Sequence, residues 1–514
     1  MQNRFLAPLQ RVVAVLMLAL TAGTALAGKA NNTLNVAFPR EVVTLDGLYS
    51  NLRENDILSL LTDDTLYTVN PETLQPVPLA ALSHKVIDPR TIDVELRRGI
   101  KFHDGSEMTA EDVAYSYHWT INPKSETNFT PRIGFWLESA TATGPYTVRF
   151  RMKGPYAMFF YDLTYHSKIR KKGAYDKKDG GIDPAAQSLA LNSNGPYRVT
   201  EFRAGQRIVL QRFKEYRKDS PKSPQIETIV IRTIPEWSTQ AAELMSGGID
   251  WTYQVPYEIA DDVAKSGRAI HLSGPSMRIG YIVMDAAGRH QAKNPFTNVK
   301  VRQAVNHAID RNAIVAQLVK GTASPLHVAC NPAQFGCEGS AKKYDYNPQR
   351  AKALLAEAGY PNGFDVDFWT ARERPIMEAL VNQLGQVGIR ANLRYVKNPT
   401  LAKARTDNQV VMYYGSSGSF SVPDAGAVMG DKFTPDADEN YTGNPEVGKL
   451  TSAALNSYDP KVRRENFRKA VNLIADQAYW APVYAYGEEY VISREVDFKA
   501  PMDGMQRLFL IRWK

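Results

Sequence analysis

Cysteine is nearly absent from this chain. The 514 residues hold only Cys330 and Cys337. That excludes a multi-bridge scaffold and a four-cysteine zinc site. The eight histidines show no H-E-x-x-H or other close spacing, and only His327 lies near the cysteines. A metal site would therefore be short of ligands. There is no Walker phosphate loop and no G-x-G-x-x-G. Gly415-Ser416-Ser417-Gly418-Ser419 approaches a nucleophile elbow, but serine stands at 419 where G-x-S-x-G requires glycine. Carboxylates are plentiful, yet nothing in the sequence pairs two of them as acid and base. Long basic tracts are missing too. The net charge is +8, two units of it from Arg4 and Arg11 near the N-terminus, which argues against nucleic acid as a partner. Beyond the N-terminal region no apolar run is long enough to cross a bilayer, and there is no internal repeat or low-complexity segment.

What is present begins with an export signal. Arg4 and Arg11 precede or flank the apolar run Val12 to Leu20, and Ala25-Leu26-Ala27 forms an A-x-A pattern before Gly28. Residues 1–27 are expected to be a cleaved signal peptide. The rival reading, a membrane anchor, is opposed by the shortness of the run. No cysteine near the cleavage site offers a point for lipid attachment. In an oxidising compartment Cys330 and Cys337 are expected to pair as a disulfide and close a short local loop. A composition of 44% hydrophobic and 23% charged residues suits a soluble chain of two or three domains.

Local patterns alternate between strand and helix. Thr91–Leu96 alternates with period two, as does Thr147–Phe150. Gln206–Arg212, Ile226–Ile231 and Arg278–Met284 also read as strands. Thr109-Ala110-Glu111-Asp112 opens a helix with a capping-box-like start. Thr239–Met245 reads as a helix stopped by Gly247-Gly248. Val301, Ala304, Val305, Ala308 and Ile309 form one helical stripe. Asn347 and Pro348 begin a helix that ends at Gly359. A strand over Val366–Trp369, a helix from about Ile376 to Val387 and a strand over 388–393 follow. This alternation predicts α/β layers. With 10% aromatic residues, including 26 tyrosines and 7 tryptophans, rings are numerous enough to serve both a core and a ligand cleft.

The run from Leu96 to Val113 closely resembles a signature of the family 5 extracellular solute-binding proteins, the dipeptide/oligopeptide/nickel-binding group of ABC importers. Leu79-Ala80, Asn194-Gly195-Pro196-Tyr197, the stretch from Asn298 to Arg311, and Tyr344-Asp345 through Pro361 resemble further family elements in the same order. The resemblance implies a two-lobed α/β periplasmic binding protein fold of the large type II class, with an extra α/β subdomain in the first lobe and the ligand cleft between the lobes. It implies a first lobe over 28–285 with the inserted subdomain at about 62–205. The second lobe would follow over 286–488, with a C-terminal return to the first lobe over 489–514. It further implies a periplasmic location, a small-molecule ligand, an inner-membrane ABC permease as partner and a monomer; the missing catalytic motifs and His/Cys clusters add the expectation of no catalysis, no cofactor and no metal.

Ligand identity is expected to reside in two stretches. In dipeptide-binding relatives an arginine just before proline grips the ligand carboxylate, and Arg374 is similar in position, with Arg372 beside it. A guanidinium suits a carboxylate or phosphate because it donates two parallel hydrogen bonds. The stretch Tyr413 to Asp424 resembles the family's G-W-x-G-D-x-x-x-P-D segment. Here Ser416 replaces the tryptophan, and Ser419 replaces the aspartate that pairs with a peptide ammonium. Tyr414, Ser416, Ser417, Ser419 and Phe420 are thus candidate ligand contacts. Asp424, Asp46 and Tyr49 are candidates as well, the two acids as substitute ammonium partners. Without the usual aspartate, the expected ligand is an anionic or hydroxyl-rich solute such as an opine, a sugar phosphate or an oligosaccharide. A short peptide is the alternative, and a secreted hydrolase with an unrecognised site is the rival from another class.

Overall fold

The computed structural model describes residues 28–290, 293–338 and 341–514. The expected signal peptide, 1–27, lies outside the described residues. One hydrogen-bonded path of strands runs through the molecule. At one end Thr33–Phe38 pairs in parallel with Thr228–Thr233 and Trp251–Tyr253. Arg207–Arg212 and Tyr197–Arg203 continue that sheet as antiparallel strands. At the other end Phe364–Thr370 pairs in parallel with Ile389–Tyr395 and Met412–Ser417. Parallel neighbours need crossover helices, and the helical patterns in the sequence supply them.

Two long strands join the ends. Ala269–Met284 and Trp480–Ser493 pair antiparallel, with a register shift between Pro275 and Ile279. On one side of the shift, Tyr490–Ile492 borders Trp251–Tyr253. On the other side, Ile279–Met284 borders Met412–Ser417. Proline lacks the N–H a ladder needs, so Pro275 suits an interruption. The strand expected over Arg278–Met284 therefore begins earlier, at Ala269. The passage from one sheet region to the other falls near Pro275–Ile279.

A separate four-stranded sheet follows the order Ala81–Asp88, Thr91–Leu96, Thr147–Met152, Leu137–Gly144. It is covered by the helix Ala110–Ile121, whose start is a true capping box between Thr109 and Asp112. The chain leaves and re-enters the large sheet at neighbouring points, since the Gly195 amide donates to the Thr62 carbonyl at 2.8 Å. A Cβ on Gly195 would lie 2.3 Å from the Thr62 carbonyl carbon, so only glycine permits this approach. Tyr197–Arg203, which follows that contact, belongs to the large sheet.

The helical stripe of Val301, Ala304, Val305 and Ala308 is fully buried against Leu380, Leu384 and Phe368. Leu34, Val36, Ile229 and Ile231 form another core, joined by Met505, Leu508 and Ile511 from the C-terminal segment. Among the described residues no helix is long and apolar enough to cross a membrane.

Candidate functional site

A cavity of about 570 Å3 opens beside the register shift of the two long strands, and it draws on both sheet regions. The first helix after Leu52, Arg53–Thr62, contributes Arg53 and Asp56. The long strand contributes Arg278 and Tyr281. The loop after Phe364–Thr370 contributes Arg372, and Met412–Ser417 with its following turn contributes Tyr414 to Ser419. Helix Asn398–Thr406 adds Arg405, and helix Gly426–Phe433 adds Asp431 and Lys432.

Charge is unevenly distributed in this cavity. Arg405 and Lys432 share one counter-ion, Glu439, at 2.7 and 2.6 Å, with the Tyr413 hydroxyl donating to the same carboxylate at 2.9 Å. Burial opposes the Glu439 charge, but the two cations outweigh it and hold its pKa low. Arg53, Arg278 and Arg372 differ. Among the described residues none of them has a carboxylate within 4.0 Å. Arg53 donates to Ser421 Oγ at 3.1 Å and Arg278 to Ser416 Oγ at 3.1 Å. Both guanidinium groups converge over Gly418. A Cβ placed there would be 3.4 Å from Arg278 Nη2 and 3.8 Å from Arg53 Nη2. Burial lowers the pKa of Arg278, and repulsion from Arg372 and Arg53 adds to the effect. These three cations, attracted by carboxylates such as Asp56 and Glu488 only from beyond 4.0 Å, give the cavity a chemistry suited to anionic oxygen.

The backbone around them is strained. Glu373, Ser419 and Ser421 have φ of +55°, +49° and +59°, a region costly for residues with a Cβ. Glu373 is held there by hydroxyls from Tyr414, Tyr484 and Tyr486. Ser419 is buried, and its Oγ has no protein partner.

The sequence candidates divide. Arg372, Tyr414, Ser416, Ser417 and Ser419 line the cavity. Arg374 does not. It begins the helix Arg374–Gln386 on the surface, its side chain 68% exposed and paired with Glu378 one turn on. The left-handed turn at Glu373 sends Arg372 inward and Arg374 outward. Asp46 and Asp424 are unsuited as ammonium partners, because both are buried and already paired. Asp46 meets Arg170 at 2.8 Å and the Tyr175 hydroxyl at 2.5 Å. Asp424 meets Arg463 at 2.8 Å. Tyr49 accepts from Trp119 Nε1 at 3.0 Å and packs against the four-stranded unit, away from the cavity. Phe420 falls in the turn Ser419–Ser421, but its side chain lies outside the described set. Sequence reading missed Arg53, Arg278, Arg405, Lys432, Asp56, Asp431 and Glu439. None sits in a recognisable motif, and only tertiary folding brings them together.

Cys330 and Cys337 are bonded. Their loop ties the long strand at Ser276 to the segment after Ser421. Asn331 Nδ2 donates to the Ser276 carbonyl at 2.9 Å, Gln334 Nε2 to that of Val422 at 2.8 Å, and the Phe335 amide to that of Pro423 at 3.0 Å. Among the described residues no group of three or more His, Cys, Asp or Glu side chains is placed to hold a metal ion.

Two sheet regions joined by two crossing strands, with a charged cleft at the crossing, define a two-lobed binding protein. The chain belongs to the bacterial extracellular solute-binding proteins, family 5, whose model matches residues 75–440. Its members are the solute-binding components of ABC importers. The chain is 26% identical over 477 residues to the glutathione-binding protein GsiB of Escherichia coli K12, covering 88% of this chain and 85% of that one. It is similar in fold to the periplasmic binding protein DppA of Helicobacter pylori, solved with the peptide STSA. There the TM-score is 0.81 at 20% identity, over 94% of this chain and 98% of the other. It is also similar to AgaA of A. tumefaciens R10, solved with agropinic acid, with a TM-score of 0.78 at 21% identity over 94% and 99%.

Proposed function

We propose that this chain works in the periplasm as the receptor of an ABC importer, without catalysis of its own, and that its cargo is a small solute bearing carboxylates. The observation that carries this reading is the set of three arginines, Arg53, Arg278 and Arg372, facing one cavity with no carboxylate among the described residues within 4.0 Å of any of them. Arg53 comes from the first lobe, Arg372 from the second and Arg278 from the strand between them. An anion gripped by all three holds the lobes together, so closure over the ligand becomes a shift in population toward the state a permease recognises. Ser419 Oγ is placed to hydrogen-bond the same ligand. Glutathione and agropinic acid, named with two of the similar proteins, are both carboxylic acids.

A second reading, a short peptide, draws support from Asp431. Its side chain lines the cavity, is 44% exposed, and lies 3.7 Å from an Arg132 that is closer to Asp162. It can meet an ammonium in place of the aspartate missing at Ser419.

Calorimetric titration with glutathione, agropinic acid, a dipeptide, its amide and a sugar phosphate tests both. Free acids should bind and the neutral C-terminal amide should not; equal affinity for acid and amide removes the anion reading. Arg372→Ala should weaken binding of an acid roughly 10- to 100-fold, the scale of hydrogen bonds to a charged group. Arg374→Ala should leave it within about twofold, as for an exposed ion pair.

A further inference from the structure

The arginine cavity does not end at Asp431. That residue is also a wall of a second compartment of about 290 Å3, lined by Phe129, Pro131, Phe135, Tyr156, Gly430 and Leu455 among others. We propose that the cargo is amphipathic: an acidic head for the arginines and an apolar substituent that seats in this second compartment. The inference rests on the anion reading above and extends it to the rest of the ligand.

Three observations support it. First, the compartment lies between the two halves of the molecule. Phe129, Pro131 and Phe135 come from the first-lobe unit, and Gly430 from the helix Gly426–Phe433 across the cleft. A group lodged there touches both lobes, as the acidic head does, and adds to closure. Second, Phe135 is 56% exposed although its neighbour Trp136 is buried. Its ring stands edge-on to Tyr156 at 6.0 Å, so two aromatic side chains border a space they do not fill. An exposed apolar wall inside a cleft is a ligand-binding feature more than a packing one. Third, the two glycines of the facing helix differ. Packing requires Gly426, where a Cβ would come within 2.8 Å of Met158 Sδ and 3.0 Å of Leu455 Cδ2. It does not require Gly430, where a Cβ would meet only Leu455, at 3.4 Å and beyond. Glycine at 430 leaves the compartment open. Asp431, 3.7 Å from Arg132, lines both cavities and makes the apolar chamber the neighbour of the polar head site.

The test compares glutathione with S-hexylglutathione by calorimetry on the full mature chain. Each buried methylene multiplies affinity roughly fourfold. Partial seating of the hexyl chain should therefore give at least about tenfold tighter binding than glutathione. Gly430→Leu, which fills the chamber, and Phe135→Ala, which removes a wall, should each cut that gain to within about threefold of glutathione. Binding of glutathione itself should be unchanged in both. Melting temperatures of the empty variants report whether either has lost its fold, and two variants from opposite walls guard against one failing. Glutathione binding with no gain from the hexyl chain overturns this inference and leaves the anion reading standing. A gain that survives both substitutions also overturns it. Failure of both ligands to bind overturns the anion reading and this inference with it.

Discussion

Glu488 shows how a single residue tunes the cleft. It follows Gly487 on the second long strand, and one of its carboxylate oxygens is buried without a hydrogen-bond partner. Burial raises its pKa to about 7, against the pull of Arg53 and Arg278. The folded chain therefore keeps a proton that the unfolded chain has lost above its ordinary value of 4.5. The stability this provides is complete below that value and disappears as pH rises through about 7. Glu488→Gln should raise the melting temperature of the empty protein at pH 8 and leave it unchanged at pH 5. An equal rise at both would remove Glu488 as the source. A bound anion weakens the pull of the two arginines on Glu488, so ligand uptake at pH 7 should draw in protons. Titration in buffers of different ionisation enthalpy reads that uptake directly. Residue-level chemistry was the least legible part of the sequence. Arg372 and Arg374 both suit an anion, and what separates them is the left-handed backbone at Glu373. Three tyrosines from two distant strands hold that conformation, which no local pattern records.

Secondary elements were far more legible. The strand Thr91–Leu96 has the residues its alternation predicts. The helix from Asn347 and Pro348 is capped as expected, with Asn347 Oδ1 accepting from the Arg350 amide at 2.9 Å. Periodicity reports burial on one face, and burial is what these elements share. The long strand Ala269–Met284 was visible only in its second half. Its first half holds Gly274 and Pro275, and pairing with Trp480–Ser493 carries the strand through them. The disulfide loop belongs to the same scale. Eight residues closed by one bridge constrain the unfolded chain by about 2–3 kcal/mol on the chain-entropy model. Replacing both cysteines with serine should lower the melting temperature by only a few degrees in a chain of this size. Ligand affinity should fall as well, because Asn331, Gln334 and Phe335 anchor Ser276 and the backbone after Ser421. An unchanged dissociation constant would confine the bridge to stability alone.

Across the whole molecule, the expected motion is closure about the paired strands at Pro275–Ile279 and Ala485–Gly487. Ligand addition should reduce the radius of gyration measured by X-ray scattering. Arg53→Ala removes the first lobe's grip on the anion. That variant should bind weakly through Arg278 and Arg372 and compact much less at saturation. Full compaction in the variant would mean that closure does not depend on an anion bridging the lobes.

The amino-acid sequence alone determined the α/β alternation, the elements that build two cores, and the family, because apolar periodicity, caps and turn residues act within a few positions of themselves. The tertiary structure decided which side chains meet. The cleft is assembled from Arg53, Arg278, Arg372 and the segment around Ser419, which come from four separate stretches of the sequence. Their convergence depends on where two long strands cross and on three strained backbone positions. Neither leaves a local trace, since convergence is set by the packing of whole lobes rather than by the spacing of neighbours.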